Sequence, residues 1–206
     1  MFSLFSFITG IDSSVFFAIN GLHADFIDGV MMFISHKLVW IPFYMLLIFL
    51  AVKKAGIAYG LLIVLCAVAA VGFTDWICAS IIKPNVERLR PASLQNPWNH
   101  LVHIVNGYRS GGYGFPSCHA ANSFALATIF SLMFRNRRMT AILFVWAFAV
   151  GYSRIYLGVH YPGDVLGGAV IGSMIASAMY KYVYLTVLDR KLLERRLFHK
   201  KLSELK

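Results

Sequence analysis

Lys83, Arg90, Ser117, His119, Arg154, His160 and Asp164 lie in three short motifs in order along the chain. The motifs are Lys83–Pro91 (KPNVERLRP), Pro116–His119 (PSCH) and Ser153–Asp164 (SRIYLGVHYPGD). Lys83 offers a point charge, whereas Arg90 and Arg154 offer planar forks that can grip two oxygens of a phosphate. Ser117 and His119 stand at the start of an apolar run, so free backbone N–H groups of a helix end, including that of Cys118, lie beside them. Ser117 also suits a plain N-cap role. His119 is placed to give a proton to a leaving oxygen. His160 and Asp164 are four residues apart, which lets the carboxylate fix one ring nitrogen and leaves the other as a nucleophile. The Pro162–Gly163 turn puts Asp164 near a helix N-terminus, where a carboxylate is favoured. Together these residues can carry phosphoryl transfer with neither a metal nor a cofactor.

The elements that must position them are membrane spans. Of 206 residues, 59% are hydrophobic and 14% charged, with a mean hydropathy of +0.68. Soluble domains carry roughly 25% charged residues. Apolar runs cover 38–52, 56–82, 120–134, 139–153 and 163–187. Lys53–Lys54, Arg135/Arg137/Arg138 and the tail from Arg190 gather on one side under the positive-inside rule, which turns the three motifs outward. The expected fold is an all-α polytopic membrane helical bundle of five or six transmembrane helices with one long outward-facing loop. Its parts are an N-terminal segment 1–37, a membrane core 38–187 and a basic cytoplasmic tail 188–206. Residues 13–34 read as an amphipathic helix at the interface, with a sixth span as the alternative. Residues 1–11 lack the basic start of a signal peptide.

The spacings Lys37–Lys53, His119–Arg135 and Arg138–Arg154 are each 16 residues. At 1.5 Å per residue that is about 24 Å, less than a hydrocarbon core of about 30 Å. The polar site is therefore expected at or just below the headgroup level. Trp98, Leu101, Val102 and Val105 suggest a short helix on the membrane surface within the loop 84–118. Arg88 and Arg109 are candidates for extra headgroup charge, and His100 and His103 read as ordinary loop residues. The net charge of +10 is concentrated in an amphipathic tail suited to anionic lipid, not in a nucleic-acid motif. Cys66, Cys78 and Cys118 give no disulfide framework.

The motif set resembles the type 2 phosphatidic acid phosphatase family, with its signature K-x6-R-P, P-S-G-H and S-R-x5-H-x3-D. The likeness covers residues 56–187. It implies a metal-independent phosphatase with a phosphohistidine intermediate: His160 as nucleophile, Asp164 orienting it, His119 as general acid, and Lys83, Arg90, Ser117, Arg154 and the N–H of Cys118 holding phosphate. Cys118 replaces the family glycine. The implied substrates are undecaprenyl diphosphate, phosphatidylglycerophosphate, phosphatidic acid or lipid A phosphates, cleaved at the outer face of a cytoplasmic membrane. The alternative is a membrane anion or lipid transporter built on the same cations. The soluble vanadium haloperoxidases, whose anion pocket is similar, do not fit the apolar spans.

Overall fold

A computed structural model describes residues 4–190, with side chains from Thr9 onward; the basic tail beyond Arg190 lies outside them. The described chain is helical: α1 Leu4–Asn20, α2 Asp25–Ser35, α3 Ile41–Trp76, α4 Lys83–Val86, α5 Cys118–Phe134, α6 Arg137–Tyr156 and α7 Pro162–Met179. A π-helical stretch, Ile77–Ile82, joins α3 to α4.

Three helical stretches are long and apolar enough to cross a membrane: Lys37–Val86, Arg137–Tyr156 and Pro162–Arg190. The bent pair Thr9–Asn20 and Asp25–Ser35, which meet at 117°, raises the number to four if counted as one span. This corrects the five or six spans expected from sequence. That expectation separated 38–52 from 56–82 at Lys53–Lys54, but helix runs through both lysines, broken only at Gly56 (φ 78°, ψ 167°). It also counted 120–134, whereas Cys118–Phe134 has 17 residues, about 25 Å of rise.

The Gly56 break lets the two limbs of α3 pack on each other. A Cβ at Gly60 would stand 2.5 Å from the Cα of Val52, so only glycine permits that approach. At the same end, the Lys54 ammonium bonds the carbonyl of Phe134, a cation at the C-terminus of α5. Lys53, Lys54 and Arg135 thus share one end of the bundle, away from the three motifs.

α5 and α7 form the central pair. Cβ atoms at Gly168 and Gly172 would stand 2.5 Å from the carbonyl of Ser117 and 2.0 Å from that of Ala121. These two glycines bring the backbones together as small residues do between membrane helices. Around the pair lies an apolar core that includes Leu47, Ile63, Ala125, Ile129, Leu143 and Ala147.

The loop between α4 and α5 contains no α-helix. Asn99–Leu101 and Val105–Gly107 are single 3-10 turns. Val102 and Val105 point inward while Trp98 and Leu101 are exposed. The surface helix suggested by their spacing is therefore corrected to a folded loop with an apolar inner side.

Candidate active site

Each motif is fixed by a different local device. Ser117 caps α5, its hydroxyl accepting from the N–H of Ala120 at 3.5 Å, and its own N–H donates to the Asp164 carbonyl at 2.9 Å. The second motif is thereby tied to the third through backbone. Asp164 is the third residue of α7, and its carboxylate accepts from the N–H of Tyr161 at 2.9 Å. Arg154 lies in the last turn of α6, and its carbonyl accepts from the N–H groups of Val159 and His160. This turn carries His160 back over the arginine.

His160, Asp164, Arg154 and Ser117 are all at least 98% buried. Arg90 donates to His160 Nε2 at 2.8 Å and to the carbonyl of Val159 at 2.9 Å. A guanidinium only donates, so Nε2 carries the lone pair and the ring proton sits on Nδ1. Nδ1 faces Asp164 Oδ2 at 3.4 Å, longer than a well-formed hydrogen bond. Burial, with Arg90 and Arg154 close by, holds His160 well below the usual imidazole range. The ring is neutral, as a nucleophile must be.

The cations come from three directions. Lys83 Nζ donates to the carbonyl of Tyr113 at 3.2 Å. Arg90 Nε reaches the carbonyls of Gly111 and Gly112 at 3.2 and 3.3 Å. Arg154 bonds the hydroxyl of Ser35 and that of Tyr108, the latter at 3.1 Å, and its Nε has no partner among the described residues. His119 and Cys118 line a cavity of about 410 Å³ together with Ser35 and Lys37, and both lie within the field of Lys83 and Arg90. All eight residues singled out from sequence therefore converge on one region of the bundle.

Several supporting residues were not foreseen. Arg88 does not reach outward for a headgroup. It bridges Asp164 Oδ1 at 2.8 Å and Asp12 Oδ2 at 2.5 Å, and stacks over the ring of Tyr161. Burial alone would ease its proton off, but the two carboxylates outweigh this and Arg88 holds it more firmly than free arginine. Asp12 also accepts from the N–H of Gly163 at 2.7 Å. Ser35, which anchors Arg154, lies on α2. His103 is no ordinary loop residue: it bonds the Asp28 carboxylate at 2.9 Å and stacks on His23. Arg109 is turned inward to the carbonyl of Ala92. Asp75 lines the His119 cavity; as the one acid in the apolar run 56–82, it carried a signal in the sequence.

The PAP2 superfamily profile matches residues 60–187. The chain is 41% identical to the lipid A 4'-phosphatase of Bacteroides thetaiotaomicron over 82% of this chain and 75% of that one. It is 33% identical to the lipid A 4'-phosphatase of Porphyromonas gingivalis over 86% and 75%. Among solved structures it is similar to Aquifex aeolicus LpxE, with a TM-score of 0.61 and 28% identity, over 82% of this chain and 94% of that one.

Proposed function

The chain belongs to the PAP2 superfamily, and we propose that it removes a phosphate monoester from a lipid A-type glycolipid at the outer face of the membrane. As a member it is a metal-independent, multi-pass membrane lipid phosphatase. The observation that carries the assignment of roles is the pairing at His160: Nε2 free of a proton and facing Arg90, with Nδ1 turned to Asp164.

The substrate phosphate enters among Lys83, Arg90 and Arg154. Arg90 exchanges its contact with Nε2 for phosphate oxygens, which uncovers the lone pair. Ser117 and the N–H groups at the start of α5 donate to the same oxygens, so the charge of the transition state meets fixed donors. In the empty pocket burial, with Arg154 and Arg90 close by, lowers His119 to about 3, so it takes up its proton only as the phosphate brings negative charge into the pocket. Nε2 then attacks phosphorus, the ester P–O bond breaks, and His119 gives that proton to the departing alkoxide. The products are the lipid alcohol and phosphohistidine. Water attacks that phosphorus, His119 takes a proton from it, the P–N bond breaks, and phosphate leaves. Asp164, gripped by Arg88, holds the ring and balances its charge while the intermediate stands.

The substrate class rests on the two lipid A 4'-phosphatases to which the chain is similar, and the outward orientation on the basic end opposite the site. The test is purified protein with EDTA, incubated separately with bisphosphorylated lipid A, undecaprenyl diphosphate and phosphatidylglycerophosphate. Free phosphate is measured and the lipid product weighed by mass spectrometry. Fastest conversion of lipid A to the monophosphate is expected. Release from undecaprenyl diphosphate alone overturns the substrate, and no release from any of the three overturns the phosphatase assignment.

A further inference from the structure

Between the catalytic histidine and the apolar interior lies a polar pair that the phosphoryl chemistry does not use. Asn122 is three residues beyond His119 on α5, on the same helix face and one turn deeper. Its Nδ2 donates to Asp75 Oδ1 on α3 at 3.0 Å. That bond turns the amide oxygen away from the carboxylate, and Asn122 Oδ1 is buried without a partner among the described residues. Asp75 forms no ion pair among them either, although Lys37 lines the same cavity. What the pair leaves unpaired beside the cavity is therefore acceptors only: a carboxylate oxygen of the exposed Asp75 and the buried amide oxygen of Asn122.

The position of the pair matters as much as its chemistry. The cavity holding Asp75, Asn122 and His119 shares Tyr44, Val71 and Leu126 with an apolar groove of about 260 Å³ between α3 and α5. An alcohol whose phosphate sits at His160 and whose hydrocarbon lies in that groove must pass the pair. The pair meets it about one helical turn below His119, or two to three bonds from the ester oxygen.

We propose that Asp75 and Asn122 form a specificity site that recognises a hydrogen-bond donor, a hydroxyl or amide N–H, on the leaving alcohol next to the phosphoester. This rests on the phosphatase reading above and sharpens it. Alcohols of the sugar or glycerol type carry such a donor, whereas polyprenyl and diacylglycerol phosphates do not. A donor-free alcohol leaves both acceptors dry and unpaired, and the site rejects it for that reason. A plain strut between two membrane helices would need only the bond between the pair and would leave no buried acceptor without a partner.

The test uses two phosphomonoesters with the same chain and one hydroxyl of difference, 1-O-hexadecylglycerol 3-phosphate and 3-hexadecyloxypropyl phosphate. Both are assayed in mixed micelles with the wild-type protein, Asp75→Ala and Asn122→Ala. The wild type is expected to favour the hydroxyl-bearing probe in kcat/KM by about ten- to a hundredfold, and each variant to shrink that ratio to within about threefold. The ratio compares two substrates on one preparation, so partial misfolding of a variant leaves it unchanged. Equal rates on the two probes in the wild type, or an undiminished ratio in both variants, overturn the proposal. Hydrolysis of neither probe overturns the phosphatase reading, and this site with it. A hydroxyl preference alongside rejection of lipid A removes the lipid A assignment and leaves the pair in place.

Discussion

The motif-bearing half of the molecule, residues 83–164, and the N-terminal bent pair, residues 9–35, have opposite relations to the same site. The first supplies every group proposed to touch phosphate. The second supplies none, yet it holds those groups still. Asp12 on α1 grips Arg88 and the N–H of Gly163. Asn20 bonds the carbonyls of Tyr156 and His103, and Ser35 on α2 bonds Arg154. A pocket crowded with cations and a buried imidazole repels its own contents, so it depends on fixed partners outside the reacting set. The difference teaches that catalysis and its scaffold are drawn from separate stretches of chain, joined by a few charged bonds.

The strongest way to break this contrast is at His160, the proposed nucleophile. His160→Asn is expected to lower kcat by at least about 10⁴-fold, the scale for losing an attacking group from a concerted set. Protein quenched in alkaline detergent, which preserves a P–N bond, should also carry no label from a radioactive phosphate donor. Labelling at wild-type level in that variant would move the nucleophile elsewhere. Next comes Arg88→Met, which cuts Asp164 from Asp12 without removing any phosphate ligand. It is expected to lower kcat by about 10- to 100-fold with KM within about threefold, because the orientation of His160 is lost while the cations stay. A rise in KM with kcat intact would make Arg88 a substrate ligand and blur the division between the halves. Ser35→Ala removes one charge-assisted bond to Arg154. The expected result is a rise in KM of about tenfold, measured by titrating detergent-solubilised substrate from below KM to saturation, with kcat little changed.

The candidate site was far more legible than its supports, and the reason is physical. A phosphate needs cations, donors and a nucleophile of particular types, and prolines mark their neighbourhood: Pro84 stands in the last helical turn before the loop and Pro162 opens α7, so the three motifs stand out from an apolar background. Supports need only reach. Asp12 and Ser35 are ordinary polar residues in amphipathic stretches, and nothing in their spacing points to Arg88 or Arg154 some 76 and 119 positions away. The all-helical bundle was legible from composition, while the number of spans was not. Lys53 and Lys54 looked like a boundary, but helix continues through them until Gly56, whose φ of 78° is invisible to hydropathy. The loop misled for the opposite reason. Val102 and Val105 keep helical spacing although each is buried by separate 3-10 turns, and His103 is partnered by Asp28 from a segment 75 positions earlier.

The smallest expected effect concerns protons rather than turnover. Native His160 is neutral because burial, with Arg90 and Arg154 beside it, disfavours the imidazolium. Below the ordinary histidine value of about 6.5, the unfolded chain takes up a proton that the native site refuses. The native state then binds fewer protons, so stability rises with pH across this window. The contribution is complete above about pH 6.5 and is lost as the pH falls toward the native value, by at most about 1.4 kcal/mol per pH unit. Replacing His160 by Asn abolishes that titration. Between about pH 7.5 and 5.5, the melting temperature of the detergent-solubilised wild type should therefore fall by a few degrees more than that of His160→Asn. Parallel declines in the two proteins would mean that His160 is already protonated in the folded state. Its lone pair would then be unavailable for attack, and the nucleophile would have to be sought among the other groups of the pocket.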